Sequence, residues 1–334
     1  MTVEMTSFGS EQAKLYQISS PTGVEVAVTN FGARIVSFLV PDGTSKRNIV
    51  VSYDSDEAYR QEDIYMGAMV GPVAGRLSGA EIEVAGKRHQ LTANEKGNNL
   101  HGGPESLHTA YWDAEVLNET SVAFSTLLTD GQNGFPGPIE VRVVYQLEGN
   151  RLTYTVEGKS GQDTVFNPTN HVYFNLDGDI TKPIDGHQLK IKAQRYAPLK
   201  EDNTPTGQLE SVENTVFDFR ELSPISQGFN RDDLQHQIAQ GYDHAWVLEG
   251  NDPQVEAKSG DGKIRLTLDT DLPAVVIYTY GWPVAEGRSI VPHGAFTLET
   301  QILPDALKNP HFGDITLKAG QTFTSRTSFE VFYE

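Results

Sequence analysis

One segment of the sequence places a histidine on the polar face of a predicted strand. In residues 170–176 (NHVYFNL), alternation puts His171, Tyr173 and Asn175 on one face and three apolar side chains on the other. The apolar face has a core to pack against, and the histidine lies among polar and aromatic groups. Rings and polar groups beside a histidine are typical of a sugar-binding sheet face. A histidine satisfied by its neighbours at the edge of a core would show the same pattern.

A second segment offers a carboxylate. In residues 296–302 (FTLETQI), Thr297, Glu299 and Gln301 alternate with apolar side chains and form a short polar row. The interest of Glu299 lies in this short polar row within an otherwise apolar segment. A glutamate on the solvated side of a strand would alternate in the same way.

Three further segments contain groups that could contact a ligand. Residues 99–103 (NLHGG) set Asn99 and His101 before two glycines, which free the backbone for close approach to a ligand. Arg76 and Asp243 could hold hydroxyl groups through charge-assisted hydrogen bonds. A plain loop, a surface ion pair and a turn aspartate are the ordinary alternatives for these segments.

The chain lacks the sequence patterns of several other kinds of active site. It contains no Gly-rich phosphate loop after a strand, no HExxH motif and no GxSxG elbow. It has no cysteine, which excludes disulfides, thiolate catalysis and cysteine-ligated metals. The histidines do not show the spacing of metal ligands. We therefore expect neither a metal nor another cofactor.

The elements that position these residues are predicted to be short β-strands. Period-two alternation marks half-buried strands at residues 140–147, 152–156, 264–268 and 329–333, and turns rich in Gly, Asn and Asp separate such runs. Many short strands between close turns favour a large antiparallel β-sandwich or barrel.

Helical patterns are few and short. Residues 232–240 could form two helical turns ended by Gly241, and residues 305–308 could form another turn. We found no internal repeat and no linker that divides the chain. Residues 1–334 are therefore expected to form one domain of the all-β class with few short helices.

Charge and hydrophobicity exclude several classes of partner. The formal net charge of −19 repels phosphate backbones, so we expect no nucleic-acid ligand. No segment approaches the roughly 18 apolar residues of a membrane-spanning helix. Residues 1–13 contain no apolar stretch typical of a secretory signal. With the lack of cysteine, this favours a cytoplasmic location and no membrane partner.

Together, these motifs resemble the aldose 1-epimerase (galactose mutarotase) family, from about residue 30 to the C-terminal strand. Five ordered segments carry the resemblance: NLHGG at 99–103, DGQNGFPG at 130–137, TNHVYFNL at 169–176, YDH at 242–244, and LETQ with PDA between 298 and 306. The resemblance implies a large antiparallel β-sandwich with the sugar on a concave sheet face. It also implies an isomerase that interconverts the α and β anomers of free hexoses such as galactose and glucose.

The resemblance also implies roles for individual residues. The enzyme would need no cofactor, its partner would be a small sugar, and it would be a monomer or a homodimer. A general base, a general acid and an assisting group near the ring oxygen would be Glu299, His171 and His101, and substrate binding would fall to Arg76, Asp243, Asn99 and Tyr173.

Four positions depart from the pattern of this family. Gly75 stands where Asn usually precedes the arginine, Pro72 where an arginine is common, Val276 where many members have Gln, and Tyr280 where Gly is frequent. These changes leave the sugar specificity open, so a reducing disaccharide such as maltose is an alternative substrate. A non-catalytic sugar-binding protein, a glycoside hydrolase and an epimerase of a phosphorylated hexose are further alternatives. The negative charge speaks against the phosphorylated substrate.

Overall fold

The computed structural model describes residues 2–229, 232–251, 253–281 and 290–334. Strands make up 45% of the structure, and two short α-helices occur in these ranges. The predicted all-β class with few short helices is therefore confirmed. The single-domain organisation of residues 1–334 stays a prediction.

The first half of the chain forms fourteen strands within the described residues. In chain order they are β1 (Thr2–Phe8), β2 (Ser10–Ser19), β3 (Glu25–Thr29), β4 (Arg34–Asp42), β5 (Ser45–Asn48), β6 (Met69–Val70), β7 (Arg76–Leu77), β8 (Glu81–Val84), β9 (Lys87–Gln90), β10 (Asn99–Leu100), β11 (Asp113–Asn118), β12 (Ser121–Leu128), β13 (Ile139–Glu148) and β14 (Arg151–Ser160).

The second half adds fifteen more strands in the same described ranges. They are β15 (Thr164–Val165), β16 (Thr169–Asn170), β17 (Tyr173–Phe174), β18 (Gln188–Ile191), β19 (Arg195–Ala197), β20 (Glu210–Ser211), β21 (Ser223–Pro224), β22 (Asp243–Val247), β23 (Val255–Lys258), β24 (Ile264–Thr270), β25 (Ala274–Tyr278), β26 (Phe296–Thr297), β27 (Glu299–Gln301), β28 (Thr316–Leu317) and β29 (Thr322–Tyr333).

Two α-helices punctuate the described strands. Helix α1 (Asp56–Gln61) is capped at its N-terminus by Ser55, whose hydroxyl accepts a hydrogen bond from the backbone N–H of Ala58 at 3.3 Å. Helix α2 (Leu234–Ala239) has Asp233 as its N-cap and lies within the predicted 232–240 segment, so that helix is confirmed. Sequence analysis missed α1. Among the described residues, neither α-helix has the length and apolar character needed to cross a membrane.

Single turns of 3-10 helix connect several strands, and the predicted turn at 305–308 is a hydrogen-bonded turn outside any helix. The 3-10 turns lie at Ser78–Ala80, Leu107–Thr109, Gln132–Gly134, Ile225–Gly228 and Pro310–Phe312.

A nine-stranded antiparallel sheet spans the molecule in the order β11-β12-β13-β14-β29-β24-β23-β18-β21. In β13 every second residue is buried, and these residues include Val141, Val143 and Tyr145. The four predicted strands all fall inside long strands of this sheet, namely β13, β14, β24 and β29. Alternation predicted them because each packs one face on the core.

Two five-stranded sheets pack with this large sheet around one extensive core. The first is the N-terminal series β1-β2-β3-β4-β5, and the second, which we call the site sheet, has the order β20-β19-β22-β25-β27. Phe38 from the first sheet, Phe124 from the nine-stranded sheet and Trp246 from the site sheet belong to the same cluster of buried side chains. The layers therefore share a core, as the sandwich prediction requires.

Candidate active site

A cavity of about 340 Å³ opens over one face of the site sheet. The register sets Val276 opposite Glu299 and Asp243 opposite Tyr278, and all four residues line the cavity. Side chains at paired positions of neighbouring strands point to the same face, which explains why they converge. Ligand pockets typically measure about 300–1,000 Å³, so this cavity suits a small molecule.

Strand β27 presents Glu299 to the cavity because the next residue is anchored on the opposite side. The hydroxyl of Thr300 is buried, 3.1 Å from the hydroxyl of Tyr154 and 2.7 Å from that of Thr327. Alternation along the strand then turns Glu299 and Gln301 away from the core. Both side chains line the cavity, so two of the three predicted members of the polar row share one surface, whereas Thr297 is buried in β26 outside the lining.

His171 lies beside Glu299 in the same cavity. Its ring nitrogen Nε2 is 3.4 Å from the carboxylate oxygen Oε1, and the two side chains are only 5% and 3% exposed. The hydroxyl of Thr297 donates a hydrogen bond of 2.8 Å to the same carboxylate oxygen. This contact fixes the orientation of the carboxylate relative to the imidazole.

The backbone around His171 differs from the continuous strand predicted for residues 170–176. Two short strands, β16 and β17, flank His171 and Val172, which lie outside any strand. The backbone N–H of His171 donates to the carbonyl of Ala68, and its carbonyl accepts from the N–H of Gly67. These tertiary hydrogen bonds replace those of a regular ladder and hold the imidazole at the cavity wall.

Burial acts in opposite directions on the two members of this pair. It lowers the pKa of His171 to about 4, because the charged imidazolium loses its hydration. It raises the pKa of Glu299 to about 8, because the carboxylate loses its hydration too, and the hydrogen bond from Thr297 opposes this only in part. The neutral form of each group is therefore favoured at neutral pH.

His101 supplies a second imidazole at the cavity wall. Its Nδ1 accepts a hydrogen bond of 3.2 Å from the backbone N–H of Gly75, so in the neutral ring the proton is on Nε2. Its ring packs edge-on to that of His171, with 5.1 Å between centroids. Burial is the main cause that holds the pKa of His101 well below the usual range, and the charge interaction with His171 lowers it further. His101 is thus a neutral hydrogen-bond donor.

Tyr65 covers the two imidazoles and was missed by the sequence analysis. Its ring centroid lies 4.7 Å from that of His101 and 5.8 Å from that of His171. The segment is held by Asp63, which accepts from the backbone N–H of Tyr65 and forms an ion pair with the fully buried Arg34. No local pattern marks Tyr65, because its position depends on this distant ion pair.

Arg76 is held between two carboxylates at the side of the cavity. Its Nη1 donates to Asp243 at 3.0 Å, and its Nε donates to Glu95 at 3.0 Å. Burial disfavours the charge of Arg76, but the charges of Asp243 and Glu95 outweigh it and raise its pKa above the usual value. Burial raises the pKa of Asp243, and the guanidinium opposes that shift. Sequence analysis predicted Arg76 and Asp243 as binding residues and missed Glu95, which belongs to no motif.

The other two predicted binding residues, Tyr173 and Asn99, have different outcomes. Tyr173 lines the cavity, although its hydroxyl donates to the carbonyl of Ile64 at 3.0 Å. Asn99 is fully buried outside the cavity lining, and its amide donates to the carbonyl of Thr92 at 2.8 Å. The structure therefore brings together six of the seven predicted residues and leaves out Asn99, because the adjacent Leu100 and His101 form that part of the wall.

Three of the four departures from the family pattern lie at the cavity. Gly75, Val276 and Tyr280 line it, whereas Pro72 does not. An apolar side chain at 276 and a ring at 280 make this wall less polar than the family pattern would. These two positions are where we expect substrate preference to be set.

One set of side chains in the cavity has the composition of a metal site. Among the described residues, His101, His171 and Glu299 each offer a ligand atom, and these atoms lie within 4.8 Å of one another. Two imidazoles and a carboxylate are ligands that Zn²⁺ accepts. The same three groups also form a proton-transfer set by themselves, and the absence of a metal requirement stays a prediction.

Comparison with known proteins agrees with this geometry. The family model described as Aldose 1-epimerase matches residues 14–330. Galactose mutarotase of Bos taurus is 33% identical over 96% of this chain and 95% of its own length. Aldose 1-epimerase of Escherichia coli (strain K12) is 32% identical over 96% of each chain. The crystal structure of galactose 1-epimerase from Lactobacillus acidophilus NCFM superposes with a TM-score of 0.90 at 28% identity, covering 100% of this chain and 99% of that one.

The fold and the matches agree on one class of protein, an isomerase built on a galactose mutarotase-like β-sandwich. The chain belongs to the aldose 1-epimerase family. The resemblance inferred from the five sequence motifs is thereby confirmed.

Proposed function

We propose that the chain interconverts the α and β anomers of free aldohexoses, with galactose and glucose as substrates, through paired acid–base catalysis by Glu299 and His171. The observation that carries this proposal is the 3.4 Å separation of His171 Nε2 and Glu299 Oε1 within a buried, ligand-sized cavity. Mutarotation moves two protons, one at the C1 hydroxyl and one at the ring oxygen. A proton acceptor and a proton donor side by side match that demand.

The proposed reaction begins with Glu299 ionised and His171 protonated. The carboxylate takes the proton of the C1 hydroxyl while the imidazolium protonates the ring oxygen, and the C1–O5 bond breaks to give the open-chain aldehyde. Rotation about C1–C2 then presents the other face of the carbonyl. On closure, the C5 hydroxyl attacks C1 and returns its proton to His171, while Glu299 protonates the carbonyl oxygen. All protons are restored and nothing is consumed.

The proton inventory of the pair supports this cycle. Between pH values of about 4 and 8 the pair carries one proton, whichever group holds it. Burial favours that proton on Glu299, which is the arrangement of the open-chain stage. The substrate must therefore favour its transfer to His171 on binding. A sugar hydroxyl that donates to the carboxylate would do so, because hydrogen bonding stabilises the charged form.

The remaining cavity residues are assigned to binding and assistance. His101, a neutral donor through Nε2, would support the ring oxygen beside His171. Arg76 and Asp243 would bind hydroxyl groups, since each carries charged atoms at the cavity wall while their mutual ion pair fixes their position. Tyr173 would contribute ring surface rather than its hydroxyl, which is already bonded.

A reducing disaccharide such as maltose is the second candidate substrate. The cavity lining extends to Leu199 and Pro205, and it is less polar at Val276 and Tyr280 than the family pattern predicts. Carbon surface of this kind could pack against a second sugar ring. A glycoside hydrolase is less compatible, because the nearest functional partner of Glu299 is an imidazole and Asp243 is paired with Arg76.

Polarimetry of freshly dissolved α-galactose, α-glucose, xylose and maltose tests the proposal. We expect the protein to accelerate the drift to equilibrium for at least one hexose, and the ranking decides between a monosaccharide and a disaccharide. Sugar binding without acceleration of any drift would contradict the proposed activity. Release of nitrophenol from aryl galactosides would instead indicate hydrolysis.

Three finer expectations stay predictions. These are a role in galactose and hexose metabolism, a cytoplasmic location, and a monomeric or homodimeric state. Cell fractionation and size-exclusion chromatography with light scattering would test the last two.

A further inference from the structure

Gln301 is a buried amide without a polar partner among the described residues. Its side chain is 0% exposed, and neither Oε1 nor Nε2 forms a hydrogen bond within the described part of the chain. Folded proteins satisfy the large majority of buried side-chain polar atoms, so an amide with both ends unpaired requires an explanation. Gln301 lines the same cavity as Glu299 and His171.

Gln254 is a buried glutamine whose side-chain amide is fully hydrogen-bonded within the protein. Gln254 is 7% exposed, and its Nε2 donates to the carbonyl of Thr270 at 2.8 Å while its Oε1 accepts from the N–H of Thr270 at 3.1 Å. Both ends of that side chain are satisfied within the protein. Gln301 has the same chemistry and comparable burial, but its partners are missing.

The position of Gln301 relates it to the reacting groups. It follows Glu299 by two residues in β27, so both side chains point to the same face about 7 Å apart along the strand. A ligand held with C1 at Glu299 would extend a distance of this order across its ring. Gln301 is therefore placed for a hydroxyl remote from C1.

Small residues leave space beside this amide. Ala274 is its partner in β25, and Gly75 lies near the end of its side chain. A Cβ at Gly75 would lie 3.6 Å from Oε1 of Gln301, in ordinary van der Waals contact, and 3.2 Å from Cβ of Pro304, which is a tight approach. The backbone of Gly75 also has φ of +70°, which glycine adopts most readily.

We propose that Gln301 is a substrate-positioning residue whose amide hydrogen-bonds a sugar hydroxyl other than that at C1 and contributes to specificity. A hydroxyl both donates and accepts, and a carboxamide offers one atom for each role. That the ligand is a sugar rests on the proposed function. It adds a residue that holds the sugar ring without taking part in proton transfer.

The test uses Gln301→Leu and Gln301→Met, with Gln254→Leu as a matched control remote from the cavity. We expect the Gln301 variants to raise KM for the preferred sugar about tenfold while kcat changes little, because a contact made equally in ground and transition states is lost. Their melting temperature should stay unchanged or rise. Gln254→Leu should lower the melting temperature and leave KM unchanged, since its lost hydrogen bonds are structural.

A panel of sugars identifies the hydroxyl. Glucose and galactose differ at C4, 2-deoxyglucose lacks the C2 hydroxyl, and fucose lacks the C6 hydroxyl. If Gln301 contacts one of these groups, the preference of the wild-type protein at that position should disappear in Gln301→Leu. Unchanged KM for every sugar, or a melting temperature lowered as far as in Gln254→Leu, would overturn the assignment.

A binding measurement separates this inference from the proposed activity. The rise in melting temperature with saturating galactose should be smaller in Gln301→Leu than in the wild-type protein, whether or not turnover occurs. Wild-type protein that binds sugar without accelerating mutarotation would refute the proposed function and leave this contact testable. An equal rise in both proteins would refute the contact alone.

Discussion

The imidazole Nε2 of His171 and the carboxylate Oε1 of Glu299 lie 3.4 Å apart in a cavity where both side chains are almost fully buried. Burial raises the proton affinity of the carboxylate and lowers that of the imidazole. The two groups therefore hold one proton between them across a broad pH range. Several measurable properties of the protein depend on this shared proton.

Removing either member of the pair should abolish most turnover. We expect Glu299→Gln and His171→Asn each to lower kcat by about 10²–10⁴-fold, the usual contribution of a well-placed acid or base. Circular dichroism should show an unchanged fold, since Gln has the volume of Glu and the smaller Asn replaces a side chain that faces the cavity. Polarimetry on the preferred sugar measures the effect. Wild-type turnover in either variant would remove that residue from the mechanism.

Activity should follow a bell-shaped pH profile. The active pair carries one proton, so kcat/KM should fall below pH of about 4, where His171 and Glu299 are both protonated, and above pH of about 8, where both are deprotonated. Initial rates in buffers of constant ionic strength would give the two limbs. A rate that is flat between pH 3 and 10 would be incompatible with a shared proton.

Glu299→Gln should stabilise the fold at alkaline pH. The pKa of Glu299 is about 8 in the folded protein against an ordinary value of 4.5, so the folded state binds this proton more tightly and stability is lost as pH rises through about 8. His171 has a lowered pKa, and its opposing contribution is complete above pH 6.5. We expect the variant to gain about 2–4 kcal/mol in free energy of unfolding at pH 8.

Urea titrations at pH 5, 6.5 and 8 would measure this gain. The exposed Glu119, in the turn between β11 and β12, offers a matched control, because Glu119→Gln removes a carboxylate that remains hydrated. An advantage of Glu299→Gln that does not grow between pH 6.5 and 8 would show that the folded protein does not hold this carboxyl in its neutral form.

Arg76 and Asp243 should act as one binding unit. Asp243→Asn and Arg76→Met should each raise KM by about tenfold or more, because each leaves the other charge buried without its full partner. The double variant should cost less than the sum of the single variants, with a coupling of about 0.5–3 kcal/mol in kcat/KM. Arg76→Lys should fail to restore activity, since lysine cannot bond Asp243 and Glu95 through one planar fork. Strict additivity would show that the two residues act separately.

Metal removal should leave turnover unchanged, whereas added Zn²⁺ should inhibit it. Dialysis against EDTA should leave turnover unchanged, because the proposed chemistry uses protons alone. Added Zn²⁺ should inhibit competitively with sugar, since His101, His171 and Glu299 offer three ligand atoms within 4.8 Å of one another. His101→Asn should weaken that inhibition. Loss of turnover on chelation, restored by a metal, would contradict the proton-only mechanism.

Local patterns in the sequence predicted much of the framework. Alternation marked the long strands β13, β14, β24 and β29 because each buries one face in the core and exposes the other. The same alternation placed Glu299 and Gln301 on one polar face of β27. It failed around His171, where tertiary hydrogen bonds to Gly67 and Ala68 replace a regular strand.

What the sequence by itself determined was therefore the all-β class and the faces of the long strands, because these depend on side chains that are neighbours along the chain. Tertiary structure alone decided which of them meet. It brought Glu95 to Arg76 and Tyr65 onto the two imidazoles and kept Asn99 out of the cavity lining. It also left the amide of Gln301 without a hydrogen-bond partner among the residues that the structure describes. It also decided where the shared proton lies, because the loss of hydration that shifts a pKa depends on burial among residues distant in sequence.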